Sequence, residues 1–159
     1  MTGKDAAPDP RLAALVATIV AAAAPPFIAV PADLLETSEL RAALQRHAWY
    51  ASRLDRAPVY DKTTLLHALY QCGEYPAGFG FNWDALLDRL RDLEWLEPAR
   101  GIAFMWRHPD VLEERAPDIA ATFREIVEEA AAHRAEHGYP LLRVIVPAGW
   151  RPQPGAEGR

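Results

Sequence analysis

The stretch PAGFGFNWDALLDRL, residues 76–90, joins a proline- and glycine-punctuated aromatic loop to a short amphipathic helix. Gly78 and Gly80 interrupt any regular repeat, and Gly80 reads as serving a positive-φ step in the loop. Asn82 is a residue type that accepts a hydrogen bond from a free amide at a helix start, so it reads as an N-cap. From Trp83 onward, Leu86, Leu87, Leu90 and Leu93 recur at helical spacing and predict a helix over about residues 83–93. Asp84 and Asp88 stand four apart on one face of it. Like charges at that spacing weaken an isolated helix by about 0.2–0.5 kcal/mol. A user outside the helix is therefore the expected reason for them. The simpler alternative is a solvated face, with Asp84 near the positive end of the helix.

On the C-terminal side, residues 101–106 are a continuous apolar run after Gly101, the pattern of a strand buried on both faces. Pro109 and Asp110 open a short helix, and Asp118 begins a longer one to about His137. Gly138 sits where a C-terminal cap belongs, and Pro140 prevents continuation. Residues 141–146 read as the last strand. On the N-terminal side, Asp61 is the predicted N-cap of a helix over 62–70, and residues 49–54 read as a strand. Farther out, residues 33–46 predict one amphipathic helix, and residues 27–30 a short possible edge strand. A further helix is predicted over 11–24, stopped by Pro25-Pro26. Strands alternating with helices imply a parallel sheet. The expected fold class is α/β, with a small three-stranded parallel sheet packed with helices. Residues 47–147 are read as the domain, 1–46 as an N-terminal extension with a disordered start, and 148–159 as a disordered tail.

The 159 residues are 50% hydrophobic and 25% charged, an ordinary globular composition. A net charge of −5 argues against direct nucleic-acid binding, which draws on clustered Lys and Arg, and suits a basic protein partner. The single Cys72 excludes an internal disulfide and fits a reducing cytoplasm. The apolar run at residues 12–24 is shorter than the ~20 residues a bilayer span needs. The segment before it balances Lys4 and Arg11 against Asp5 and Asp9, unlike the basic start of a secretion signal. No membrane association, cofactor or metal is expected. His133 and His137 stand four apart, but the sequence supplies no third ligand nearby for zinc. The last-turn position of the pair has a plainer use at the negative end of the helix.

The run Phe79-Gly80-Phe81-Asn82-Trp83-Asp84-Ala85-Leu86-Leu87-Asp88, preceded by Pro76, resembles the signature of the barstar family, intracellular inhibitors of barnase-type ribonucleases. The likeness extends over roughly residues 49–146. It takes in the Leu54-Asp55 turn, the Phe123-Arg124-Glu125 step and the last strand, and leaves out residues 1–46. The resemblance implies a protein that plugs a ribonuclease active site, one to one, with this helix and its preceding loop. Asp88 would stand in for a substrate phosphate among basic side chains, Asp84 would pair at the rim, and Glu125 would add a third acidic contact. Phe79, Gly80, Asn82, Trp83, Leu87 and Trp95 complete the implied contact surface. The sequence departs from the family pattern at Gly78 and Leu87, where aromatic residues are usual, and at Trp95, two positions late.

Trp83 reads as either core or interface, and Glu125, Glu128 and Glu129 as a wet helix face. An enzyme using Asp84 and Asp88 as an acid–base pair with His67 or His108 has no phosphate loop, nucleophile or metal set to support it. The expectation is therefore a non-enzymatic inhibitor of a ribonuclease or related toxin nuclease. A generic interaction module of the same fold is the alternative.

Overall fold

The structure is a computed structural model and describes residues 9–96 and 99–150. The expectations of disorder at residues 1–8 and 151–159 lie outside the described residues. In chain order, α1 (Arg11–Val20) leads into β1 (Phe27–Val30), α2 (Ala32–Leu35) and α3 (Glu39–Arg46). β2 (Trp49–Arg53) is followed by α4 (Lys62–Cys72), α5 (Trp83–Asp92) and a short 3-10 turn at Glu94–Leu96. β3 (Gly101–Met105), α6 (Pro109–Arg115), α7 (Pro117–Glu136) and β4 (Leu141–Pro147) complete the order.

The strands form one parallel sheet in the order β1-β4-β3-β2. Ser52 stands opposite Phe104, Phe104 opposite Val144, and Val144 opposite Phe27. The sheet therefore has four strands, not three. The added one is the short run at 27–30, and it does lie at the edge, beside β4. Prolines at 25, 26 and 31 bracket this strand and shorten its alternation, which is why it reads weakly in the sequence. They do not prevent pairing: the Pro26 carbonyl accepts from Val144 N at 2.7 Å, and Val30 O accepts from Ala148 N at 2.6 Å.

Because successive strand residues point to opposite faces, the sheet sorts its side chains into two cores. Ile102, Phe104, Leu142, Val144 and Val146 face the layer that holds α4, α5 and α7. Ile28, Val30, Trp49, Ala51, Ala103, Met105 and Ile145 face α1, α2 and α3. β3 is buried at all five positions, as its uninterrupted apolar run predicts.

Two buried arginines tie helix ends to this frame. Arg143 on β4, 3% exposed, donates from Nε to the Ile19 carbonyl at 3.1 Å and from Nη2 to the Ala21 carbonyl at 2.8 Å. It thereby satisfies the Ile19 carbonyl left open at the end of α1 and adds a second bond to the Ala21 carbonyl, which also accepts from Ala24 N at 3.2 Å. Burial lowers its pKa. The helix stops at Val20, short of the predicted Ala24, because Ala21 turns to extended backbone there. The predicted helix over 33–46 is likewise two helices, α2 and α3. Residues 36–38 break it, and the Thr37 hydroxyl accepts from Glu39 N at 3.3 Å, local hydrogen bonding that competes with a continuous helix. Asp61 caps α4 as expected, in a reciprocal capping box with Thr64.

Asp55 closes the carboxyl end of the sheet. Its carboxylate accepts from the amides of Arg107 at 3.0 Å and His108 at 2.8 Å, tying the loop after β2 to the loop after β3. Desolvation raises its pKa despite these bonds. Trp150, expected in the tail, instead packs with ring centroids 6.4 Å from Phe27 and 6.3 Å from Trp106. Among the described residues, no helix is long and apolar enough to cross a membrane.

Candidate functional site

α5 is held at both ends. The Asn82 side chain accepts from Ala85 N at 2.8 Å, the predicted cap. At the other end, Arg134 from α7, 1% exposed, donates from Nη1 to the carbonyls of Leu90, Arg91 and Asp92 at 3.4, 3.0 and 2.9 Å. Its Nε donates to Pro140 O at 2.8 Å. Leu86 and Leu90 are buried beneath the helix, and Leu93 follows in the left-handed region at φ +46°. The helix is thus fixed in the fold through its apolar underside and capped termini.

Its outer side carries the charges. Asp84 and Asp88 are exposed, while Trp83 and Leu87 are half-buried beside them. No ion pair among the described residues involves either aspartate. The two arginines of the same helix are engaged elsewhere. Arg91 bonds Glu129 at 2.6 Å, and Arg89 lies over the Trp95 ring at 5.9 Å. Glu125 is exposed one helical turn before Glu129 on α7, which packs on α5. The predicted carboxylates therefore occur on two adjoining helices.

The loop before α5 is an aromatic stack. Tyr75 meets Phe79 edge-on at 5.0 Å and Trp95 at 5.6 Å, and Trp95 Nε1 donates to Gly73 O at 2.8 Å. Phe79, expected on the contact surface, is turned inward and 6% exposed. The exposed ring is Phe81, at 37%. The sequence alone does not separate them: two phenylalanines flank Gly80, and only one can join the core. Gly80 does not carry a positive φ. The left-handed steps fall on Gly78, φ +95°, and on Glu74 and Phe81, φ +51° and +52°. Gly80 instead leaves room, since a Cβ there would crowd Asn82 Nδ2 at 3.0 Å and Ala85 Cβ at 3.3 Å. A left-handed backbone at an ordinary residue costs about 1–2 kcal/mol, so the loop and helix end hold conformations that packing around them must sustain.

Asp84 and Asp88 lie outside five surface cavities of about 190–360 Å³. His67 stacks on Phe81, and His108 belongs to the loop that Asp55 ties down. His133 and His137 stack at 4.1 Å, and no group of three potential metal ligands occurs among the described residues.

The fold and this surface describe a small parallel α/β domain whose exposed carboxylates lie on a helix edge rather than in a cleft. Over residues 49–145 the sequence matches the family described as Barstar (barnase inhibitor). The match covers more than half of the 159 residues, from the start of β2 into β4, so the chain belongs to the barstar family. Among curated proteins, none matches the chain.

Proposed function

We propose that this chain is an intracellular inhibitor of a barnase-type ribonuclease or a related toxin nuclease, occupying the enzyme's active-site groove one to one with α5 and the loop before it. The observation that carries this reading is the pair of exposed carboxylates, without an ion pair among the described residues, on a helix capped at both ends. Asp88 is central: a carboxylate there can accept two parallel bonds from an arginine that otherwise holds a substrate phosphate. Asp84 pairs with a basic side chain at the rim, and Glu125 adds a third acidic contact. Trp83, Leu87, Trp95, Gly80 and Asn82 shape the surface around them. No bond is made or broken; the substrate is excluded by bulk and by charge. The acidic surface also speeds encounter with a basic groove, an effect that salt screens. The buried, single Cys72 is compatible with a reducing compartment.

The test is RNA cleavage by a barnase-type ribonuclease, followed with and without the protein at low and moderate salt. Inhibition is expected, weaker as salt rises. Asp88→Ala, with an unchanged circular dichroism spectrum, should weaken binding by about 2–3 kcal/mol, roughly 30- to 150-fold. If the wild type leaves cleavage untouched, the inhibitor reading fails for this enzyme class. A generic interaction module then takes its place. Gly78, with no side chain, and the inward Phe79 favour that second reading, because both withhold a ring from the surface.

A further inference from the structure

Beside the acidic helix lies a recess of opposite character. Lys62, Thr63, Leu66 and His67, from the first two turns of α4, and the ring of Phe81 bound a cavity of about 200 Å³. Phe81 is braced from behind: its ring centroid lies 4.5 Å from His67, 4.7 Å from Phe79 and 5.3 Å from Tyr70. The Lys62 ammonium stands 5.0 Å from the Trp83 ring, next to Asp84 in the chain. No ion pair among the described residues engages Lys62 or His67. The nearest carboxylate in sequence, Asp61, is committed to the Thr64 amide and hydroxyl at 2.8 Å each.

A cation left unpaired next to a surface that meets a basic groove opposes binding unless the groove supplies a negative charge at that point. An RNA-cleaving groove has a chemical reason to do so. Beside the cations that hold phosphate it needs a general base, a task carboxylates perform. Resting on the inhibitor reading above, we infer that the recess of Lys62, Thr63, His67 and Phe81 receives a carboxylate side chain of the bound nuclease. Phe81 lies against that side chain and keeps water from the pair. The surface is then two-signed. Asp84 and Asp88 take the partner's cations, and the α4 recess takes its anion, which fixes the orientation of the complex as well as its strength. The exposed aromatic contact comes from Phe81, set forward by its left-handed backbone, while position 78 is bare and Phe79 is turned inward.

The experiment is titration calorimetry of the full chain against a barnase-type ribonuclease, comparing wild type with Lys62→Glu, Lys62→Gln, Phe81→Asn and Asp88→Ala. Asparagine adopts the left-handed backbone readily, so Phe81→Asn removes the ring while keeping the turn. Lys62→Glu is expected to weaken binding about tenfold or more, because it sets like charges together. Lys62→Gln should weaken it less. Phe81→Asn should weaken it with a melting temperature within about 3 °C of wild type. Replacing groove carboxylates of the nuclease one at a time by their amides should reveal one variant that binds Lys62→Glu as well as it binds wild type. If Asp88→Ala loses binding while Lys62→Glu and Phe81→Asn bind as wild type, the recess is not a contact and the inhibitor reading stands alone. If wild type itself does not bind, both fall. Should Phe81→Asn fail to fold, Lys62→Glu decides.

Discussion

The two faces of the sheet are built to different standards. The face covered by α1, α2 and α3 is largely aliphatic, filled by Leu12, Val16, Ile19, Leu34, Leu35, Leu40 and Leu44. The face covered by α4, α5 and α7 holds a linked set of rings, buried phenylalanine and tyrosine among them, and a Tyr75 hydroxyl with no hydrogen-bond partner among the described residues. Of the non-glycine residues with positive φ, Glu74, Phe81 and Leu93 lie in or at the ends of the loop–helix segment, and only Ala48 lies outside it. Among the described residues, three of the four non-glycine positive-φ positions thus collect where the candidate surface is, while the face covered by α1–α3 adjoins one, Ala48, in the turn between α3 and β2. The family match covers the strained face and omits β1 and α1–α3. What lies outside the match adds the second layer and the fourth strand. A protein that holds a costly loop in place for recognition benefits from stability supplied elsewhere.

This contrast can be broken by substitution. Leu44→Ala empties a fully buried site on the aliphatic face, and should cost about 2–5 kcal/mol in urea unfolding. In the fraction that remains folded, nuclease binding should be unchanged; a selective loss of binding would mean the two faces are not independent. Arg134→Met removes the guanidinium that satisfies three carbonyls of α5, and should cost about 2–4 kcal/mol. Here binding should fall beyond the stability loss, because the end of the site helix frays. Hydrogen exchange of the α5 amides reads that fraying directly. Asp88→Ala should act oppositely on the two quantities, weakening binding yet raising stability by about 0.2–0.5 kcal/mol as the Asp84 repulsion goes. A stability loss instead would show that Asp88 has a structural partner.

Acid should act with opposite sign on two carboxylates, one beside the aliphatic face and one at the carboxyl end of the sheet, with the smallest effect of the set. On the aliphatic side, Arg11 bonds Asp9 and Asp33 at 2.6 and 2.7 Å, and hydrogen bonds from Arg11 lower the Asp9 pKa to about 2. That contribution is present above the unfolded carboxylate value near 3.9 and fades as pH falls through about 2. Asp55 runs the other way. Its pKa is raised, chiefly by desolvation, so its protonated form favours the fold at low pH, and that advantage is lost as pH rises through the folded pKa. Melting temperatures of wild type and Arg11→Met should therefore differ at neutral pH and converge as pH falls below about 2. A constant difference would place the Arg11 contribution in packing rather than charge.

Much of the site-bearing face is legible from sequence because its signals are local. Asn82 three residues before Ala85, Asp61 three before Thr64, and the leucine spacing of α5 each specify one helix end or one buried stripe. The cover is less legible. A four-residue strand between prolines has little alternation to show, and its place beside β4 depends on a partner more than a hundred residues away. Nothing local in the sequence marks Arg134 and Arg143 as buried, since arginine rarely is; only the assembled fold brings backbone carbonyls to them. Choosing between Phe79 and Phe81 failed for a related reason. Backbone direction around Gly80 decides which ring enters the core, and composition carries no record of it.

The two buried arginines also impose an order in time. The carbonyls they satisfy belong to α1 and α5, yet Arg134 lies in the last turn of α7 and Arg143 in β4, the strand that separates β1 from β3. During synthesis the acidic helix would emerge long before its anchor does. A nascent chain ending near residue 100 would hold all of α5 with neither Arg134 nor the strand that joins the two halves of the sheet. The candidate surface would therefore acquire its final form only after β4 has left the ribosome, so that a truncated translation product would display the motif without being able to hold it.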